Sequence, residues 1–257
     1  MLKIGWAEED ITPEKRIALA GQFAERVSEY VETPVTVTAL AVESEGEQMI
    51  ICSCDLVSIG ENLVRDVRKS IEKENEEIDT DKIIISAIHT HSSHVYDRDD
   101  SSRSSANIEY KRTLNSFLPE EKQYQVKVSA KGDDFMYSDE ALLFLTEKIS
   151  LAIINAWNNR KSAKYATGFG RAAIGMCRRV CYSDGSAKMW GDTNTATFTE
   201  LEGGNDSGIE MLFFYDDNEK LTGVVANVAC PAQVLYRKAY LTSEKLLMNM
   251  ESVQSTI

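Results

Sequence analysis

The segment Lys82-Ile-Ile-Ile-Ser-Ala-Ile-His-Thr-His-Ser-Ser-His94 decides how the first half of the chain can fold. Its apolar run, Lys82–Ile88, has the length and the branched side chains of a buried strand. A helix-like segment beginning at Glu61 precedes it, with apolar residues at helical spacing: Leu63, Val64, Val67 and Ile71. A strand, a helix and a return strand form a right-handed crossover. The sequence therefore predicts that the histidines follow the carboxyl end of a strand, where α/β sheets place ligand sites.

Other β-like and helix-like segments surround this unit. Pro34–Val42 and Gln48–Leu56 flank a polar turn and predict an antiparallel hairpin. Tyr137–Trp157 predicts a long helix with Ser138 and Asp139 as caps. Later strands are predicted at 164–173, in a hairpin at 180–190 about Asp184-Gly185, and in a pair at 209–216 and 221–229. We expect one α/β domain over residues 1–257, with mixed β-sheet flanked by helices and a long loop or insertion at 93–135.

The charge balance argues against two classes of protein. The chain of 257 residues has 41 acidic and 28 basic side chains, a net charge of −13. A nucleic-acid-binding protein needs a basic face, which this composition does not provide. The longest uncharged stretch, 221–236, is too short and too polar for a transmembrane helix. We therefore expect no nucleic-acid partner and no transmembrane segment.

The N-terminus and the cysteines bear on localisation. The first fifteen residues carry acidic side chains where a signal peptide would be apolar, and the five cysteines are an odd number. Both features favour a reducing compartment, so we expect a cytoplasmic protein. Cys52 and Cys54 would share one face of a strand, and we interpret them as small buried apolar residues.

All three histidines of the chain lie within six residues, His89 to His94. In an extended strand His89 and His91 would point to the same side, so both imidazoles could face one metal ion or one substrate. A solvated turn that happens to contain histidines is the structural alternative. A catalytic zinc needs about three protein ligands, so other residues would have to complete the site.

Three further residues have side chains suited to such a site. Cys230 ends an apolar strand and could provide a thiolate ligand, although a buried cysteine is the commoner role. Asp55 closes the strand that ends at Cys54 and could support a ligand or act as a general base, or simply cap the next loop. Arg178 could bind a carboxylate or oxyanion, or form a surface ion pair.

Several motifs, taken in order, resemble the neutral/alkaline non-lysosomal ceramidase family. In the first half they are Asp10-Ile-Thr-Pro13, Leu19-Ala-Gly21, Arg26, Ser53-Cys-Asp-Leu56 and Ile85-Ser-Ala-Ile-His-Thr-His-Ser92. In the second half they are Cys177-Arg-Arg-Val180, Met189-Trp-Gly191, Glu202-Gly-Gly-Asn-Asp-Ser-Gly208 and the run from Lys220 to Pro231. The resemblance covers roughly residues 1 to 235 and is greatest to a bacterial branch of the family.

The resemblance implies a zinc-dependent amidohydrolase that cleaves the amide of N-acylsphingosine. It makes His89 a zinc ligand and places His91 beside it as a catalytic residue. Cys230-Pro231 stands where the family has a His-Pro pair that supplies the second ligand, and Arg178 matches an arginine that binds the polar head of the substrate. The family's remaining ligands, a glutamate and a tyrosine, and its serine nucleophile come later in the family sequence.

Three hypotheses follow. The first is a ceramidase-like zinc hydrolase acting on N-acylsphingosine or another small-molecule or lipid N-acyl substrate. The second is a non-catalytic module that lacks the nucleophile and the later metal ligands. The third is a protein active only after assembly with another chain. Because a sheet cut before its last strands would expose an edge, we also expect a homo-oligomer that covers this edge.

Overall fold

A computed structural model describes residues 1–21, 26–96, 114–123, 132–232 and, for the backbone alone, 240–241. The chain divides into two compact units, Met1–Ser162 with Ala232–Ile257, and Ala163–Pro231. This division leaves the prediction of one domain open, because two compact units can belong to one domain. Most of the predicted loop at 93–135 lies outside the described residues. Within the described ranges, no helix is long and apolar enough to cross a membrane.

Eight β-strands lie among the described residues between 3 and 162 of the first unit. In chain order they are β1 (Lys3–Asp10), β2 (Arg16–Ile17), β3 (Tyr30–Val31), β4 (Thr36–Ser44), β5 (Glu47–Cys54), β6 (Ile83–Ala87), β7 (Phe135–Met136) and β8 (Lys161–Ser162). Five of them form a mixed sheet in the order β6-β5-β4-β1-β8, in which only the β5–β6 pair is parallel. The short strands β2 and β7 pair separately. The fold is mixed α/β, as the sequence predicts.

The predicted hairpin is confirmed as the β4–β5 pair. Its turn residues, Glu45 and Gly46, both have positive φ values, 53° and 85°. Positive φ at both central residues is typical of the two-residue turns that match the twist of the strands they join. Beyond the hairpin, a helix connects β5 to the parallel strand β6, as the sequence also predicts.

Two helices pack on the sheet, α1 (Glu61–Glu74) and α2 (Ser138–Asn158). Both are at the predicted positions, and their buried residues join the sheet in one hydrophobic core. The predicted capping by Ser138 and Asp139 is wrong. Tyr137 occupies the N-cap without a side-chain hydrogen bond, because the helix already begins at Ser138, two residues after β7.

Strand β1 was not predicted, although it pairs with β4 along its whole length. Its sequence, KIGWAEED, ends in three acidic residues and lacks the apolar run of a buried strand. On the face of β1 that packs against α2, the strand has a glycine, Gly5. A Cβ on Gly5 would lie 2.0 Å from the carbonyl oxygen of Ala156, so only glycine allows the helix to come this close.

Cys52 and Cys54 lie in β5, are completely buried and form no disulfide. Together with Ile50 they belong to the hydrophobic core. The interpretation of these cysteines as small buried apolar residues is confirmed.

The second unit is formed by two three-stranded sheets. Its strands are β9 (Lys164–Arg171), β10 (Arg179–Tyr182), β11 (Ala187–Met189), β12 (Phe198–Leu201), β13 (Gly208–Tyr215) and β14 (Leu221–Val228). The sheets have the orders β14-β13-β9 and β11-β10-β12, and all their pairs are antiparallel. The predicted strand pair and the predicted hairpin about Asp184-Gly185 are confirmed.

The chain returns to the first unit at Ala232, whose N–H donates to the carbonyl of Ile88 over 3.1 Å. A further short strand, β15 (Tyr240–Leu241), pairs in parallel with β3. The backbone at Ala232 thus meets Ile88, the residue that precedes His89.

Candidate functional site

The candidate site lies beyond the carboxyl ends of the parallel strands β5 and β6. Cys54 and Ala87, the last residues of the two strands, are register partners. The N–H of Ile88 donates to the carbonyl of Cys54 over 3.1 Å, which holds the two chain segments together past the strand ends. The loop after each strand therefore begins at the same edge of the sheet, as expected for a ligand site in an α/β fold.

His89 is held in an unusual conformation at this edge. Its φ is +65°, in the left-handed region that non-glycine residues seldom adopt. Its Nδ1 donates to the carbonyl of Val57, on the loop after β5, over 2.7 Å. This bond fixes the ring and leaves Nε2 as the acceptor nitrogen of the neutral imidazole. Strained backbone that is held in place by its surroundings occurs preferentially at functional sites.

His89 and His91 face one another. Their Nε2 atoms are 3.1 Å apart, and their rings meet edge to face with centroids 4.8 Å apart. The sequence predicts that both rings share a site, but the predicted reason is wrong. Strand β6 ends at Ala87, so both histidines lie in the following loop, and the left-handed turn at His89 accompanies their meeting.

Two residues flank the position of His91. Arg26 donates from Nη2 to the carbonyls of both Ala20 and His91. Gly21, with a φ of +91°, lies against the imidazole, and a Cβ on it would come within 2.4 Å of Cγ of His91. The sequence predicts no role for either residue beyond their place in the motifs quoted above.

The third histidine, His94, belongs to the core. It is completely buried, its Nδ1 lies 3.0 Å from the hydroxyl of Ser93, and its ring stacks on Phe144. Burial lowers the pKa of His94 to about 4, and the backbone of Ile11 opposes this shift without cancelling it. No hydrogen bond of ordinary geometry reaches its Nε2. His94 is therefore neutral at pH 7 and supports the loop from inside.

Asp55 is buried where β5 ends. Its Oδ2 accepts from the backbone N–H of Thr36 over 2.8 Å, and its own N–H donates to the carbonyl of Thr36 over 3.0 Å. The side chain thereby joins the end of β5 to the start of β4. Both roles considered for Asp55, in catalysis and as a cap of the next loop, stay predictions.

Cys230 and Arg178 belong to the second unit. Cys230 is half-buried, carries a free thiol and follows β14 by two residues. Its role as a metal ligand stays a prediction. Among the residues that the structure describes, no group of three or more His, Cys, Asp or Glu side chains is arranged to hold a metal ion.

Arg178 is exposed, and its guanidinium lies 5.4 Å from the ring centroid of Trp190. Trp190 is 66% exposed and has a φ of +56°, and its N–H donates to the carbonyl of Arg178 over 2.8 Å. The neighbouring Arg179 differs, because its Nε lies 2.7 Å from a carboxylate oxygen of Glu202. Within the described part of the chain, no ion pair involves Arg178. Its role in binding a substrate stays a prediction.

Among the comparisons with known proteins, only the comparison with solved structures gave a match. No family model matches the chain, and no curated protein sequence matches it significantly. Among solved structures it is similar to the neutral ceramidase of Pseudomonas aeruginosa, with a TM-score of 0.63 and 15% identity over 94% of this chain and 34% of that chain. It is also similar to a ceramidase in complex with C2, with a TM-score of 0.64 and 14% identity over 94% and 33% of the respective chains.

The fold is ceramidase-like. At this identity the likeness concerns the fold alone, and the chain spans about a third of the length of both ceramidases. The ceramidase-like fold agrees with the motif resemblance in the sequence.

Proposed function

We propose that the chain carries part of the metal centre of a ceramidase-like amide hydrolase, with His89 as a zinc ligand and His91 acting beside it. The observation that carries this proposal is the 3.1 Å separation of the two Nε2 atoms. Two nitrogen ligands of a tetrahedral zinc lie about 3.3 Å apart, given Zn–N distances of about 2.0–2.1 Å. The pair fits two positions of such a centre.

The surroundings of His89 support the same role. Metal-binding histidines usually donate their other ring N–H to a carbonyl or carboxylate, which orients the ring. Nδ1 of His89 makes this bond to the carbonyl of Val57. The side chain is exposed, and its Nε2 faces Nε2 of His91 at 3.1 Å, on the side where a shared ion would bind. When bound, a zinc ion supplies Lewis acidity and activates water for attack on an amide carbonyl.

The protein's own side chains would transfer protons and bind the substrate. His91 is close enough to His89 either to bind the same ion or to move a proton beside it. Arg178, matched to the family's arginine by sequence, would hold the polar end of an N-acyl substrate with its guanidinium. The substrate class is an N-acyl amide, with N-acylsphingosine as one member.

A non-catalytic module is the second candidate, and one observation favours it. The described residues contain two converging histidines but no complete set of three metal ligands, and a catalytic zinc is normally held by three protein groups. A module of this kind would bind an ion or a partner without turning over an amide.

Amide hydrolysis separates the two candidates. We expect the zinc-loaded protein to release the amine from a fluorescent N-acylsphingosine in detergent micelles or from a water-soluble N-acyl anilide, and the chelated protein to release none. His91→Ala would keep zinc and lose hydrolysis if His91 moves a proton, or lose both if it binds the ion. Zinc binding without hydrolysis of either probe would favour the non-catalytic module.

A further inference from the structure

We infer that Gly21 is a positioning residue for His91, because it fixes where the imidazole can stand opposite His89. The inference rests on the proposed function for its purpose, since a precise position matters only if the two rings act together. Its geometry, however, can be tested in the metal-free protein.

The first step is the contact itself. Gly21 has a φ of +91°, and a Cβ added to it would lie 2.4 Å from Cγ, 2.6 Å from Nδ1 and 2.8 Å from Cβ of His91. Contacts this short do not occur between unbonded carbon atoms, whose best separation is about 3.5–4.0 Å. Any side chain at position 21 therefore requires either the ring or the backbone of Gly21 to move by about 1 Å.

The backbone is held against such a movement. Ala20, next to Gly21, donates its N–H to the carbonyl of Ser93 over 2.9 Å, and Val95 donates to the carbonyl of Ala18 over 3.0 Å. These bonds join the segment before Gly21 to the segment after His91. These hydrogen bonds would therefore resist a movement of the backbone away from a side chain at position 21.

Arg26 also holds the backbone on both sides of this contact. One nitrogen of its guanidinium donates to the carbonyl of Ala20, which precedes Gly21, and to the carbonyl of His91. Because the flanking backbone is tied at both places, the imidazole is the part left to move. A shift of about 1 Å would break the pairing of its Nε2 with Nε2 of His89, which stand only 3.1 Å apart.

The test compares Gly21→Ala with Gly46→Ala. Gly46 also has a positive φ, +85°, but a Cβ there would meet nothing within 4 Å. Both variants thus pay for a left-handed alanine, whereas only the first adds an atom against a histidine. Gly185→Ala is a second control of the same kind, with a φ of +80° and open space around it.

The main measurement is the long-range ¹H–¹⁵N spectrum of the histidine rings in the metal-free protein. We expect Gly21→Ala to shift the ring nitrogens of His89 and His91 and to leave those of the core residue His94 in place, whereas Gly46→Ala shifts none. If Gly21→Ala and Gly46→Ala give the same ring spectra as the wild type, the inference is overturned. This result does not depend on whether the protein binds zinc.

A zinc titration then links the position to the proposed site. Where the wild type binds zinc, we expect Gly21→Ala to lower the affinity about 10-fold or more, as the loss of a group supporting a metal ligand typically does, and Gly46→Ala to change it less than twofold. Equal affinities in the two variants would overturn the inference. If the wild type binds no zinc, the proposed function fails and the ring spectra still decide the role of Gly21.

A double variant keeps the inference testable if Gly21→Ala folds poorly. In a His91→Gly background the whole side chain, Cβ included, is gone, so the methyl group added at position 21 no longer meets a side chain of residue 91. We expect Gly21→Ala to lower the urea midpoint there no more than Gly46→Ala does, and to lower it clearly more in the wild-type background. The same loss in both backgrounds would contradict a clash with His91.

Discussion

Replacing His94 by a residue that cannot titrate should make the protein less sensitive to acid. His94 is completely buried, and burial lowers its pKa from the ordinary 6.5 to about 4. In the unfolded chain the same imidazole takes up a proton as the pH falls below 6.5. The folded state does not gain this proton until near pH 4, so stability is lost as the pH falls through this window.

The size of the effect follows from the two pKa values. At pH 7.5 the group is neutral in both states and contributes almost nothing. At pH 5 about 97% of the unfolded chains carry the proton, against about a tenth of the folded ones, which lowers the free energy of unfolding by about 2 kcal/mol. The other ionisable groups contribute to acid sensitivity too, but they are shared by the wild type and a His94 variant.

The assay is urea unfolding followed by circular dichroism at pH 7.5 and pH 5. His94→Phe is the first choice, because a planar apolar ring can stack on Phe144 in place of the imidazole, and His94→Gln replaces it if phenylalanine is not accommodated. We expect the wild type to lose about 2 kcal/mol more than the variant between the two pH values. An equal loss in both proteins would refute the assignment of His94 as a neutral core residue.

Two further predictions concern other parts of the chain. Gly5→Ala should destabilise the first unit by about 1–3 kcal/mol, measured by the same urea assay, because its Cβ would collide with the backbone of Ala156; an unchanged midpoint would contradict the close packing of α2 on β1. Arg178→Gln should raise KM for an N-acyl substrate about 10-fold with little change in kcat, since it removes a charge-assisted hydrogen bond of about 1.5–3 kcal/mol. The paired control Arg179→Gln should leave KM within twofold, and equal effects of the two changes would remove the special role of Arg178.

The elements predicted correctly are those whose periodicity agrees with their burial. Helix α1 places Leu63, Val67 and Ile71 in the core at helical spacing, and β6 is a short branched apolar run. Strand β1 was missed because its contribution to packing is the absence of side chains at Gly5 rather than an apolar run. A pattern of hydrophobic residues contains no information about such a close approach.

The site was predicted in part, for a related reason. The clustering of histidines in the sequence indicated a shared site for His89 and His91, and the structure brings their rings together. The local cause was not predictable from spacing, since it lies in the left-handed conformation of His89 and in its bond to Val57, 32 residues earlier. His94 could not be separated from the other two by sequence, because burial alone distinguishes it.

The contact of Gly21 with His91 illustrates the same limit. The two residues are 70 positions apart, and only the fold brings them together. The sole hint in the sequence was a glycine in the Leu19-Ala-Gly21 motif, and glycine serves in many kinds of turn. Roles of this kind become visible only when the space around an absent side chain is known.

The most direct test of the proposed metal centre is the amount of zinc that the protein binds. Chelator-treated protein would be dialysed against zinc, freed of excess metal and analysed by mass spectrometry, with His89→Ala prepared in parallel and checked for folding by circular dichroism. We predict close to one zinc per wild-type chain and a large loss of zinc in the folded variant. A wild type without bound zinc, or a variant that retains it in full, would contradict the account.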